Sequence, residues 1–277
     1  RGLNSGGGAR WEVVNAGVSG HGTGQQLLMY ELLEDRVEPD AVVIGFAVVN
    51  DVLDNLCVDA EQFGGRAEIP CFRVDDGRLV AAPPRRALQA AGGTWWPRSQ
   101  VAELFMAQAK RATLWNPRFL TLAQSLGVRV RDARLLPDTV ASWYDPRFVE
   151  NGWPLTQRLL QELRARLRPR GAALVVLLIP SALQVDPSLQ RVLTELADPR
   201  PPIQAFLRDP RRPQRILADY CHGQALTCVD PLPALFENAR QGEQPYYPID
   251  GHWTPAAHAL AAAAVLQGLH PAVVSGR

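Results

Sequence analysis

Ala41-Val42-Val43-Ile44-Gly45-Phe46 is the stretch whose reading decides the fold. It is an apolar run without polar alternation, set between the breaker Glu38-Pro39-Asp40 and the polar pair Asn50-Asp51. A strand with one wet face alternates apolar and polar side chains, whereas a continuous apolar run belongs to a strand covered on both faces. Just upstream, Gln25 to Arg36 carries Leu28, Leu32 and Leu33 with charges between them, the spacing of a helix. Further back, Trp11 to Ala16 reads as a short buried strand entering a turn, Gly17 to Gly24, that holds four glycines. Downstream, Leu155, Leu159, Leu160, Leu163 and Leu167 share one face of a helix that begins at Pro154 and ends at Arg170-Gly171. Ala172 to Ile179 then forms the most apolar strand in the chain, and Leu226 to Asp230 forms a short last one. Helices alternating with unalternated strands predict an α/β domain with a mainly parallel sheet.

Bulk properties narrow the function. The 277 residues suffice for one large domain or two small ones, and 47% of them are apolar. With 29 basic against 28 acidic residues, no global field draws the chain to nucleic acid or an anionic membrane. Lys110 is the only lysine, so the arginine preference runs through every segment and is not a local phosphate site. No apolar run approaches the roughly 20 residues that a membrane-spanning helix needs. Cys57, Cys71, Cys221 and Cys228 match no tight metal spacing. They pair either as two disulfides, Cys57–Cys71 and Cys221–Cys228, or remain as buried thiols.

Residues 56 to 140 are less regular and read as an insertion. Cys71 to Val80 looks like a hairpin around Asp76-Gly77. Trp95, Trp96, Phe105, Trp115 and Phe119 accompany a helical stretch from about Ser99 to Leu114. That aromatic set either lines an apolar acyl pocket or forms the core of the insertion.

Near the end, Tyr246-Tyr247-Pro248-Ile249-Asp250-Gly251-His252-Trp253-Thr254-Pro255 sets a carboxylate two residues before an imidazole and then opens a helix. Thr254 suits the N-cap and Pro255 the first helical position. A general base needs such an imidazole with a carboxylate beside it, although an ordinary turn holds the same residues. Asn50 and Asp51 stand at the carboxyl end of a parallel strand, where ligand groups gather, or they simply bond the turn backbone.

Taken together, Asn15-Ala16-Gly17-Val18-Ser19-Gly20, Asn50-Asp51 and Asp250-Gly251-His252 resemble the SGNH (GDSL-type) hydrolases, over Val13 through Leu269. The resemblance implies one domain over residues 1–277 with an insertion at about 56–140. It implies a flavodoxin-like three-layer α/β/α sandwich and an ester hydrolase, an acyl or acetyl esterase or lipase-like enzyme, working through a serine acyl-enzyme. The backbone N–H of Gly20 and the side-chain amide of Asn50 would form the oxyanion hole. His252 would be the base and Asp250 its orienting partner. No metal or organic cofactor is implied, and the partner is a small-molecule, carbohydrate or lipid ester. His258, six residues past His252, reads as a packing or surface residue.

Two departures qualify the match. Many members place two residues between Asp and His, and here there is only Gly251. Asp250-Gly251-His252-Trp253 is instead similar to alginate-acetyltransferase-like relatives, so O-acetyl transfer to a carbohydrate is an alternative to hydrolysis. The chain also lacks the Gly-Asp-Ser nucleophile motif. Ser5, Ser19, Ser181 and Cys57 are poor substitutes, so the nucleophile is expected on a first strand that is absent from this chain. A gap of unpaired backbone, and an unstable or inactive fragment, would follow. A noncatalytic α/β binding module is the remaining alternative. Compartment is open.

Overall fold

The structure, a computed structural model, describes residues 11–18, 20–56, 70–82, 140–248 and 251–275. Helix α1 (Thr23–Leu33) leads into β1 (Ala41–Ala47), which is followed by the short α2 (Asp51–Asn55). A hairpin comes next, β2 (Cys71–Asp75) with β3 (Arg78–Ala82). Then come α3 (Pro146–Leu167), β4 (Ala173–Ile179), α4 (Ala182–Val185), α5 (Pro187–Glu195) and α6 (Pro201–Arg208). The chain ends with α7 (Arg212–Gly223), β5 (Thr227–Val229), α8 (Leu232–Arg240) and α9 (Pro255–Ser275).

The main sheet has the order β1-β4-β5 and is parallel throughout. β1 and β4 pair in register from Ala41 opposite Ala173 to Ala47 opposite Ile179. Because strand side chains alternate faces, Leu174, Val176 and Leu178 join the large core built with Leu27, Leu159, Leu160 and Leu163. Val175 points the other way and packs with Val229 and Leu269 under α9. Helices on both faces explain why β1 and β4 are written without polar alternation. The chain is a mixed α/β domain in the expected flavodoxin-like layering.

Several boundaries moved. The helix read from Pro154 begins at Pro146, with Pro154 inside it. Proline is tolerated there on the exposed side of the helix, where the lost backbone hydrogen bond is open to water. Gly152 is buried opposite it, and a Cβ on that residue would come within 2.5 Å of Val52. The predicted leucine face is buried at every position. The hairpin forms with Asp76 and Gly77 at φ 47° and 74°, the left-handed pair of a tight two-residue turn. The rest of the 56–140 insertion, with its predicted helix and Trp95, Trp96, Phe105, Trp115 and Phe119, lies outside the described residues.

The strand predicted at Trp11–Ala16 is not formed. Val13 and Val14 are 73% and 54% exposed. In a 2-1-3-4-5 order this segment pairs only with a strand between itself and β1, and none of the described residues supplies one. The outer edge of β1 has a substitute of its own. Parallel pairing turns alternate residues to opposite neighbours, and bonds from Ala173 N to Asp40 O and from Val48 N to Ile179 O put the even positions on β4. Gly45 therefore faces outward. The Gln26 side chain from α1 meets it there, Nε2 donating to Gly45 O at 2.7 Å and Oε1 accepting from Gly45 N at 3.1 Å. One amide side chain thus imitates a neighbouring strand for one residue. Val43, on the same edge, remains 41% exposed.

Cys221 and Cys228 are joined in a disulfide that ties α7 to β5. Cys71 is disulfide-bonded as well, so the described cysteines are oxidised rather than buried thiols. Cys57 lies outside the described residues. Among the described residues no helix is long and apolar enough to cross a membrane.

Candidate active site

The candidate site is built at the carboxyl end of the sheet, where β1 and β4 release their chains. Gly20 sits at φ 81°, a left-handed conformation that suits glycine, and His21 N closes the turn on Val18 O at 3.2 Å. Two residues later α1 begins, with Gly22 N bonded to Gln25 Oε1.

The Gly20 turn is locked to α2 by buried polar contacts. Thr23 Oγ1 donates to Asp51 Oδ2 at 3.0 Å, and Gly24 N donates to Asn55 Oδ1 at 2.9 Å. Asn55 in turn donates to Thr156 Oγ1 on α3. Asp51 is 1% exposed, and burial holds its carboxyl well above the usual range, against the lowering pull of the Thr23 hydroxyl. Asn50 caps α2 and is half-buried, and its Nδ2 donates to Asp54 Oδ2 at 2.5 Å. Backbone of the Gly20 segment and the head of α2 meet closely: a Cβ on Gly22 would lie 3.3 Å from Asp54 Cβ and 3.6 Å from Asp51 Cα.

His252 comes from the loop ahead of α9. Gly251 at φ 71° turns the chain so that Gly251 N reaches Tyr247 O, and Tyr247 N bonds His252 O at 2.9 Å. A side chain at 251 would strain that turn. The imidazole is exposed. What anchors the loop is Tyr246, 4% exposed, whose hydroxyl donates to Pro180 O at 2.5 Å at the end of β4. Burial pushes the Tyr246 hydroxyl well up. The Trp253 indole N–H is buried beside that hydroxyl without reaching hydrogen-bond geometry. Since Val48 N bonds Ile179 O next door, the His252 loop is tied, through Tyr246, to the end of β4 that lies beside the start of the Asn50 turn.

Asp250, Ser5, Ser19 and Cys57 lie outside the described residues. Ser181 is buried, and its hydroxyl caps α4 by accepting from Gln184 N. Thr254 caps α9 through its carbonyl to His258 N, with Oγ1 at 3.5 Å from Ala257 N. His258 packs edge-on against Trp253 at 5.5 Å between ring centres. Asp54, Tyr246, Thr23 and Asn55 carry no motif of their own. The signal for Asp54 was its place four residues after Asn50 in a helix start, and Tyr246 lay inside the quoted stretch without a role.

Residues 143–275 match the family model described as the SGNH hydrolase-like domain of acetyltransferase AlgX. The match takes in β4, β5, the His252 loop and α9, while Gly20 and Asn50 lie ahead of it. No curated protein matches the chain, and no solved structure does.

Proposed function

We propose that the chain supplies the base and the oxyanion donors for acyl transfer at an ester, with hydrolysis through a serine acyl-enzyme as the first reading and the serine contributed from outside the described residues. In this scheme a serine hydroxyl attacks the ester carbonyl, and His252 takes its proton while Asp250 orients the imidazole. Gly20 N–H and the Asn50 amide receive the developing oxyanion. Such donors are worth about 3–4 kcal/mol each when preorganised. His252 later returns its proton to the leaving alcohol, and water completes the cycle. None of the described serines is assigned as the nucleophile.

The observations that support the reading are the tie of the Gly20 segment to α2, behind Asn50, through Thr23 and Asp51, and the tie of the His252 loop through Tyr246 to Pro180, next to the end of β1. Transfer of an acetyl group to a carbohydrate hydroxyl is the second reading. It is favoured by the family match and by Trp253 following His252. The two differ only in which hydroxyl resolves the acyl-enzyme. Product analysis with an acetyl donor, with and without a saccharide acceptor, separates them: free acetate alone indicates hydrolysis, acetylated saccharide indicates transfer. If His252→Ala leaves both products unchanged, the catalytic reading fails and a binding module takes its place.

A further inference from the structure

We propose that Asp54 is a positioning residue, whose carboxylate turns the Asn50 amide so that its second N–H faces the centre served by Gly20. The inference rests on the reading of Asn50 as an oxyanion donor. An asparagine side chain is nearly symmetric in shape about its last torsion, and either its oxygen or its nitrogen can be presented to a ligand. An ionised carboxylate only accepts. Placed 2.5 Å from Asn50 Nδ2, Asp54 selects the nitrogen end and fixes the plane of the amide. One amide hydrogen is consumed, and the other is left at a defined angle about 120° away.

Asp54 is itself held. Its backbone N bonds Asn50 O at 2.8 Å, closing the first turn of α2. Its Cβ abuts Gly22, on the segment that carries Gly20. Next to it, Asp51 fastens that same segment through Thr23. Asp54 therefore touches both the chain bearing one donor and the side chain bearing the other. The carboxylate also repels an oxyanion, so orientation and charge act in opposite directions. A neutral isostere separates them, because the amide of Asp54→Asn still offers an oxygen to Asn50 Nδ2.

The test is a double-mutant cycle with p-nitrophenyl acetate in a protein that carries the serine nucleophile together with this chain. Asp54→Ala is expected to lower kcat roughly tenfold with KM within about twofold, since a misaimed donor weakens only the transition state. Asp54→Asn is expected to restore kcat to at least the wild-type value. On an Asn50→Ala background, Asp54→Ala is expected to change nothing further. An equal fractional loss on both backgrounds, or an unchanged kcat for Asp54→Ala, overturns the proposal. A second readout needs no turnover: the two Asn50 side-chain amide protons should be widely separated by NMR and converge in Asp54→Ala. Amide protons that do not respond also overturn it. If Asn50→Ala alone leaves kcat unchanged while the amide protons respond as expected, the oxyanion reading is what has failed. Asp54 then has no donor to aim.

Discussion

Replacing Gln26 with Met should test how the open edge of β1 is closed. Gln26 satisfies both backbone groups of Gly45, and methionine keeps its length without donor or acceptor. Each backbone group stranded in a buried site costs about 1–3 kcal/mol. Gly45 and Gln26 are only half-buried, so water recovers part of that, and about 2 kcal/mol in total is the expected loss. Urea unfolding followed by tryptophan fluorescence measures it, with the m-value unchanged if only the native edge is affected. Gln26→Glu supplies a second check through pH. When ionised, the introduced carboxylate accepts from Gly45 N but faces Gly45 O with a second acceptor; when protonated, it restores both bonds. The folded pKa of that carboxyl is thus raised above the unfolded value, so the added stability is complete below the unfolded pKa near 4. It is lost as pH rises through the folded one. A Gln26→Met loss below about 0.5 kcal/mol, together with a Gln26→Glu minus wild-type difference flat in pH, would refute the strand-mimic account.

Tyr246→Phe removes the hydroxyl that holds the His252 loop to Pro180, and about 1 kcal/mol should disappear from the urea-derived stability. Asp51→Asn keeps an acceptor for Thr23 but removes the buried charge. Since burial raises the Asp51 pKa, the wild type should weaken as pH climbs above the usual carboxyl range while the variant stays flatter, so their urea midpoints diverge toward higher pH. Replacing Cys221 and Cys228 together by serine opens a loop with a sequence separation of 7 and should lower stability by about 2 kcal/mol, read from denaturation under non-reducing conditions.

Periodicity was enough where neighbours are local or where both faces of a strand are covered. β1, β4, β5 and the leucine face of α3 were legible because burial alone writes their pattern. Trp11–Ala16 has the same composition and formed no strand, because a strand exists only through its partner. The Gly-rich turn, Asn50 and the His252 loop were legible as types and spacings. Their attachments were not: Thr23 to Asp51 spans 28 residues and Tyr246 to Pro180 spans 66.

Residue order thus determined the alternating helices and strands and named the candidate donors and the candidate base. Tertiary structure alone decided that Gln26 seals β1, that Asp54 holds the Asn50 amide and that Tyr246 anchors the His252 loop. The reason is physical. Hydrophobic patterning follows from average burial, which each residue reports by its own chemistry. A hydrogen bond between distant side chains depends on angles and distances that appear only once the layers have packed.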